Sequence, residues 1–176
     1  MPEELLLKTE RFNVVRDSFV TSSGKTKSRE IVRHPGAVVI VPRLADGSVC
    51  LIRNFRLSIR RTLIELPAGT LDPQETPQSQ AERELIEETG YRAGKMQPLH
   101  SFYLSPGILD ERMHLFLATE LVPGEAHREL GEEIENLVVP WAEAVAMIFR
   151  GEIQDAKTIA SLLYVHYSDR GTLDRP

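Results

Sequence analysis

Three glutamates, Glu84, Glu87 and Glu88, are spaced for chemistry within the stretch Leu66 to Tyr91, LPAGTLDPQETPQSQAERELIEETGY. If that stretch is helical, Ala81, Leu85 and Thr89 share one stripe at 100° per residue, bordered by Glu84 and Glu88, with Glu87 a little further round. Three carboxylates then meet at the edge of a buried face. Like charges at i, i+4 cost an isolated helix a few tenths of a kcal/mol each, so the cluster calls for a compensating partner. A hard divalent cation, Mg²⁺ or Mn²⁺, suits it, because such ions take oxygen ligands and bind phosphate oxygens together with one or two carboxylates. Arg83 is placed to pair with Glu87, which leaves Glu84 and Glu88 as the freer ligands. On the helix alone, a solvated Glu-rich face remains the other reading.

A cation held there could neutralise a diphosphate and lower the pKa of a bound water for attack on phosphorus. Arg53, Arg56, Arg60 and Arg61 crowd just upstream, and guanidinium groups match phosphate geometry. The reaction class is metal-assisted hydrolysis of a phosphoanhydride. There is no G-x4-G-K-[ST] loop of the kind that couples nucleotide hydrolysis to work.

The elements that must position these groups are partly legible. Thr76-Pro77 reads as an N-cap and first-turn pair and Gly90 as the left-handed residue past a helix end, which predicts a helix over 77–89. Residues 36–42 and 49–55 are apolar runs joined by a turn at Asp46-Gly47, and their continuous apolar character predicts burial on both faces. Residues 63–66, 99–104, 113–119 and 134–139 read as further strands, and 142–149 and 155–167 as helices. Residues 11–33 read as a hairpin turning at Gly24, too poor in apolar residues to form a core of its own. Strands and helices interleave with a long crossover, so the fold class is α/β, a mixed sheet covered by helices.

Composition narrows the partners. The 176 residues suit one domain, or one domain with an appendage, and a formal charge of −5 gives no electrostatic reason to bind nucleic acid or an anionic membrane. Nothing approaches about eighteen consecutive apolar residues, and the acidic start MPEELLLK is unlike a secretory signal. The single cysteine, Cys50, sits in the apolar run VCLI and reads as a small hydrophobe in a reducing, cytoplasmic setting.

Gly69, Glu75, Arg83, Glu84, Leu85, Glu87, Glu88, Gly90 and Tyr91 stand at the spacing G-x5-E-x7-R-E-U-x-E-E-x-G-U, with U a bulky, usually apolar residue. A chance match is on the order of one in a billion per start position. The chain therefore resembles the Nudix hydrolases, over nearly its whole length, and within them the ADP-ribose pyrophosphatases. That subgroup carries a strand ending near an arginine, here Ile52–Arg56, then E-L-P-A-G at Glu65–Gly69, the box, and a proline sixteen residues after its last glycine, here Pro106.

The resemblance implies a Nudix-type α/β/α sandwich over residues 34–170, an N-terminal β-hairpin element within 1–33 that pairs two subunits in a homodimer, and a tail at 171–176. It implies that the Ala68 carbonyl, Glu84, Glu87 and Glu88 hold Mg²⁺ or Mn²⁺, supported by Gly69, Glu75 and Arg83. Arg53, Arg56, Glu65 and Pro106 fall to the substrate. It also implies a catalytic or metal-binding glutamate on the loop before the last core strand: Glu132 is favoured and Glu133 is second. The implied reaction is hydrolysis of ADP-ribose to AMP and ribose 5-phosphate, with nucleotide sugars, NADH, dinucleoside polyphosphates or a nucleotide-sensing role as alternatives.

Overall fold

The two apolar runs at the centre of the chain are buried as their composition requires. Every residue of the first is buried, and so are Val49–Ile52 of the second. The computed structural model describes residues 3–128 and 133–169. In chain order its elements are β1 (Glu4–Lys8), β2 (Asn13–Val20), β3 (Thr26–Arg33), β4 (Ala37–Pro42), β5 (Val49–Arg56), β6 (Arg61–Glu65), β7 (Ala68–Thr70), α1 (Pro77–Thr89), β8 (Arg92–Tyr103), β9 (Arg112–Val122), β10 (Ile134–Val139), α2 (Trp141–Phe149) and α3 (Ala156–Asp169).

A mixed sheet of order β7-β4-β9-β8 forms the centre, with β4 parallel to β9 and the other pairs antiparallel. Alternation along β4 and β9 sends side chains to two cores. Val38, Ile40, Phe116 and Ala118 meet Ala81 and Leu85 of α1, while Val39, Val41 and Leu115 meet Leu51, Met147 and Leu162 on the other side. One face of the sheet thus carries α1, and the other carries α2, α3 and a second antiparallel sheet of order β10-β5-β6. This is the expected α/β/α arrangement.

Two expectations are refined. The Asp46-Gly47 turn is present, with Gly47 at φ 83°, but β4 and β5 leave it for different sheets, and the two arms of the turn are joined by an isolated bridge between Arg43 and Val49. Each strand is flanked on both sides by other partners, which is how both faces and both edges come to be covered. The N-terminal hairpin, β2 with β3 and Gly24 at φ 76°, gains a third strand, since β1 pairs antiparallel with β2. Leu5-Leu6-Leu7 has no alternation because β1 is exposed along its whole length.

The strand at 99–104 extends back to Arg92, through Gly94 and Pro98. Proline is tolerated because β8 is an edge strand and the ladder shifts register between Pro98 and His100. Cys50 is fully buried, and burial pushes its thiol up to about 12, so it serves as a small apolar residue. Among the described residues no helix is long and apolar enough to cross a membrane.

Candidate active site

Local sequence builds the helix that carries the carboxylates. The Thr76 hydroxyl accepts the Ser79 N–H at 3.2 Å, and Pro77 occupies the first turn, where no donor is needed. At the other end Gly90 adopts φ 79° and donates its N–H to the Ile86 carbonyl at 2.8 Å. A Cβ at Gly90 would lie 2.5 Å from the Gly124 carbonyl oxygen, so glycine is needed for contact as well as conformation. The last carbonyls of α1 are satisfied from outside the helix. The His127 N–H donates to Glu87 O at 3.1 Å, Arg128 Nε to Glu88 O at 3.3 Å and Asn136 Nδ2 to Thr89 O at 2.8 Å.

Glu84, Glu87 and Glu88 line one cavity of about 230 Å³ together with Ala68, Gly69 and Arg56. Arg83 braces them, with Nε on Glu75 at 3.1 Å, Nη1 on Glu87 at 2.5 Å and Nη2 at 3.5 Å from Glu84. Burial opposes the Arg83 charge, but Glu84, Glu87 and Glu75 together hold its pKa above the ordinary value. The division into one paired and two freer carboxylates is not what the structure has. Glu84 also accepts from Gln80 Nε2 at 2.6 Å, and Glu88, only 4% exposed, accepts the Ala68 N–H at 3.0 Å. Gly69 makes room for the Glu84 carboxylate, which a Cβ at that position would displace.

Oxygen is the only donor type the acidic side chains offer, which fits a hard divalent cation. Among the described residues, however, no three acidic, cysteine or histidine side chains converge as a closed ligand set.

A wider cleft of about 470 Å³ adjoins this cavity and shares Arg56, Ala68 and Gly69 with it. Arg56 donates to Glu65 through Nε at 2.8 Å and Nη2 at 2.6 Å, a two-point contact that raises the Arg56 pKa against the opposing effect of burial. Glu65 is fully buried and also receives the Lys157 ammonium. It therefore stands behind Arg56, next to the cleft.

Of the four arginines expected near phosphate, only Arg56 lines the cleft. Arg53 lies one residue out of phase with Asn54 and Arg56 along β5, so it faces the opposite side, opposite Glu135 and in a cavity with Glu133. Arg60, at φ 51°, and Arg61 are exposed around the β5–β6 turn. Pro106 is also separate, in a cavity with Phe19, Ile31 and Tyr103 against the N-terminal sheet. The chain is stitched there by Val32 N–H to Ile108 O at 2.8 Å and Asp110 N–H to Val32 O at 3.1 Å, which holds residues 105–110 away from α1. Glu133 is exposed beside Arg53, and Glu132 lies outside the described residues.

Sequence reasoning missed Gln80, whose i, i+4 spacing to Glu84 was the available signal. It also missed Arg11 and Asn54, which line the carboxylate cavity. Arg11 was hidden because β1, and hence the turn that carries it, was not recognised.

An ADP-ribose pyrophosphatase of Bacillus subtilis is 41% identical over 149 residues, 84% of this chain and 80% of that protein. A GDP-mannose pyrophosphatase of Citrobacter koseri is 36% identical over 159 residues, 81% of this chain and 83% of that protein. A crystal structure of an ADP compounds hydrolase shares the fold, with a TM-score of 0.85 over 98% of this chain and 94% of that one at 22% identity. The NUDIX domain model matches residues 32–162, which span the mixed sheet, the carboxylate helix and the first half of α3, and the chain belongs to the Nudix family.

Proposed function

We propose that the protein hydrolyses ADP-ribose to AMP and ribose 5-phosphate at the cavity between α1 and β7. The observation that carries this reading is the junction of two environments: an oxygen-lined cavity bearing Glu84, Glu87 and Glu88, and a cleft walled by the Arg56 fork, joined through Ala68 and Gly69. Glu84, Glu87, Glu88 and the Ala68 carbonyl would hold Mg²⁺ or Mn²⁺, which when bound supplies charge neutralisation of the diphosphate and a water of lowered pKa. Arg56, fixed by Glu65, presents its remaining N–H donors to phosphate oxygens. Arg11, on the β1–β2 turn, adds a second cation at the same cavity. Glu132 is assigned to the attacking water and Glu133 is second, a choice decided by which of Glu132→Gln and Glu133→Gln lowers kcat.

Preference for ADP-ribose rests on the 41% identical relative of that name, and the GDP-mannose pyrophosphatase at 36% supplies the runner-up. Pro106 does not support either, because it lies in another cavity. The test is kcat/KM for ADP-ribose, GDP-mannose, NADH and a dinucleoside polyphosphate at one Mg²⁺ concentration, with products identified. ADP-ribose is expected to lead, and a tenfold advantage for any other compound overturns the substrate while leaving the diphosphatase reading intact. We also assign a homodimer formed through the N-terminal sheet, and a reducing, cytoplasmic setting consistent with the buried thiol of Cys50.

A further inference from the structure

Lys157 is a buried cation that the proposed chemistry leaves unused. It stands in the first turn of α3, only 8% exposed, with its ammonium on Glu65 and 3.0 Å from Asp155. Its surroundings are fixed by further hydrogen bonds. Asp155 Oδ2 accepts from the Thr158 N–H at 2.9 Å and hydroxyl at 2.6 Å, and Thr158 Oγ1 accepts the Leu66 N–H at 2.8 Å. Two cations, Arg56 and Lys157, therefore balance two carboxylates, Glu65 and Asp155, where the end of β6 meets the start of α3. Lys157 and Asp155 also line the cleft that Arg56 walls.

We propose that Lys157 is a positioning residue for Arg56: by balancing Glu65 and Asp155 together, it leaves the Arg56 fork aligned along the cleft wall with donors available to a phosphate. A buried carboxylate deprived of its partner draws on whatever cation is near. Without the ammonium, Arg56 becomes the only cation of the four-residue cluster, and its guanidinium is pulled inward toward Asp155 and out of the cleft. The inference rests on the reading that Arg56 contacts substrate phosphate.

The experiment compares Lys157→Met, which keeps the buried stem, with Lys157→Arg, which returns the charge. The Met variant is expected to raise KM for ADP-ribose about tenfold with kcat within about threefold, and the Arg variant to recover most of the loss. In an Arg56→Ala background the Met change is expected to add less than about twofold, because the two residues act as one unit. Equal effects in both backgrounds, or a loss confined to kcat, overturn the proposal.

A second readout does not depend on turnover. The Arg56 Nε–Hε resonance, assigned by its loss in Arg56→Lys, is expected to shift or broaden in Lys157→Met, and an unchanged resonance overturns the proposal. Should the Met variant fail to fold, Lys157→Gln carries both measurements. If the wild-type protein hydrolyses none of the diphosphate compounds, the functional reading fails, and the resonance still decides whether Lys157 places Arg56.

Discussion

Glu65 is a fully buried carboxylate held between Arg56 and Lys157. Burial alone would raise its pKa, but hydrogen bonds from Arg56 and the charge of Lys157 outweigh that and hold it below the ordinary value. The folded protein thus binds this proton less readily than the unfolded chain. The stabilisation is complete above the ordinary glutamate pKa of about 4.3 and is lost as pH falls through the lowered folded value. Glu65→Gln is therefore expected to lower Tm clearly near neutral pH, with the difference from wild type shrinking in strong acid. A Tm difference that stays constant on acidification would contradict this account. Residues of this kind divide by how local their partners are. Arg83, Glu75, Glu84 and Glu87 were legible as box residues, and their contacts span only one to eight positions. Lys157 was not, since its partner Glu65 lies 92 residues away in sequence. Arg53 suits phosphate by type, but its place on β5, which sequence alone does not reveal, faces it away from the cleft.

At the scale of elements, α1 is the part of the fold most completely written in local sequence: cap, first-turn proline and terminal glycine all act where their types predict. Gly90 has a second duty, since its lack of a Cβ admits residues 124–126, and the same loop brings the His127 N–H to the Glu87 carbonyl. Gly90→Ala is expected to cost more than the about 1 kcal/mol of left-handed strain alone. Gly47→Ala isolates that strain, because Gly47 has a similar φ of 83° with nothing within 4 Å of the added carbon. Chemical denaturation of both variants checks this, and equal losses would mean that the contact with Gly124 carries no weight. Strand partners were harder to read than strands. The runs at β4 and β5 were visible as buried, yet their separation into two sheets follows from β9, β7, β6 and β10 taking their edges. No local signal encodes that competition. The exposed Leu5-Leu6-Leu7 strand was likewise invisible, because its order comes from pairing with β2.

At the scale of the whole molecule, two cores flank the mixed sheet, and the N-terminal sheet stands beside them with apolar residues uncovered. Leu5, Leu7, Phe19 and Val20 are 52–69% exposed. Such a surface is expected to pair two chains, giving a dimer by sedimentation at micromolar concentration and a weakened one in Phe19→Asp. A fully active wild-type monomer would rule the dimer out. The fold joins a helix edge bearing carboxylates to a cleft walled by the Arg56 fork, and hydrolysis is expected at that junction. The most direct test is turnover of ADP-ribose by Glu84→Gln and Glu88→Gln at saturating Mg²⁺, with circular dichroism to verify the fold. In each variant kcat is expected to fall at least about a thousandfold with the fold retained, whereas near-normal turnover in either would mean that the carboxylate does not serve the reaction.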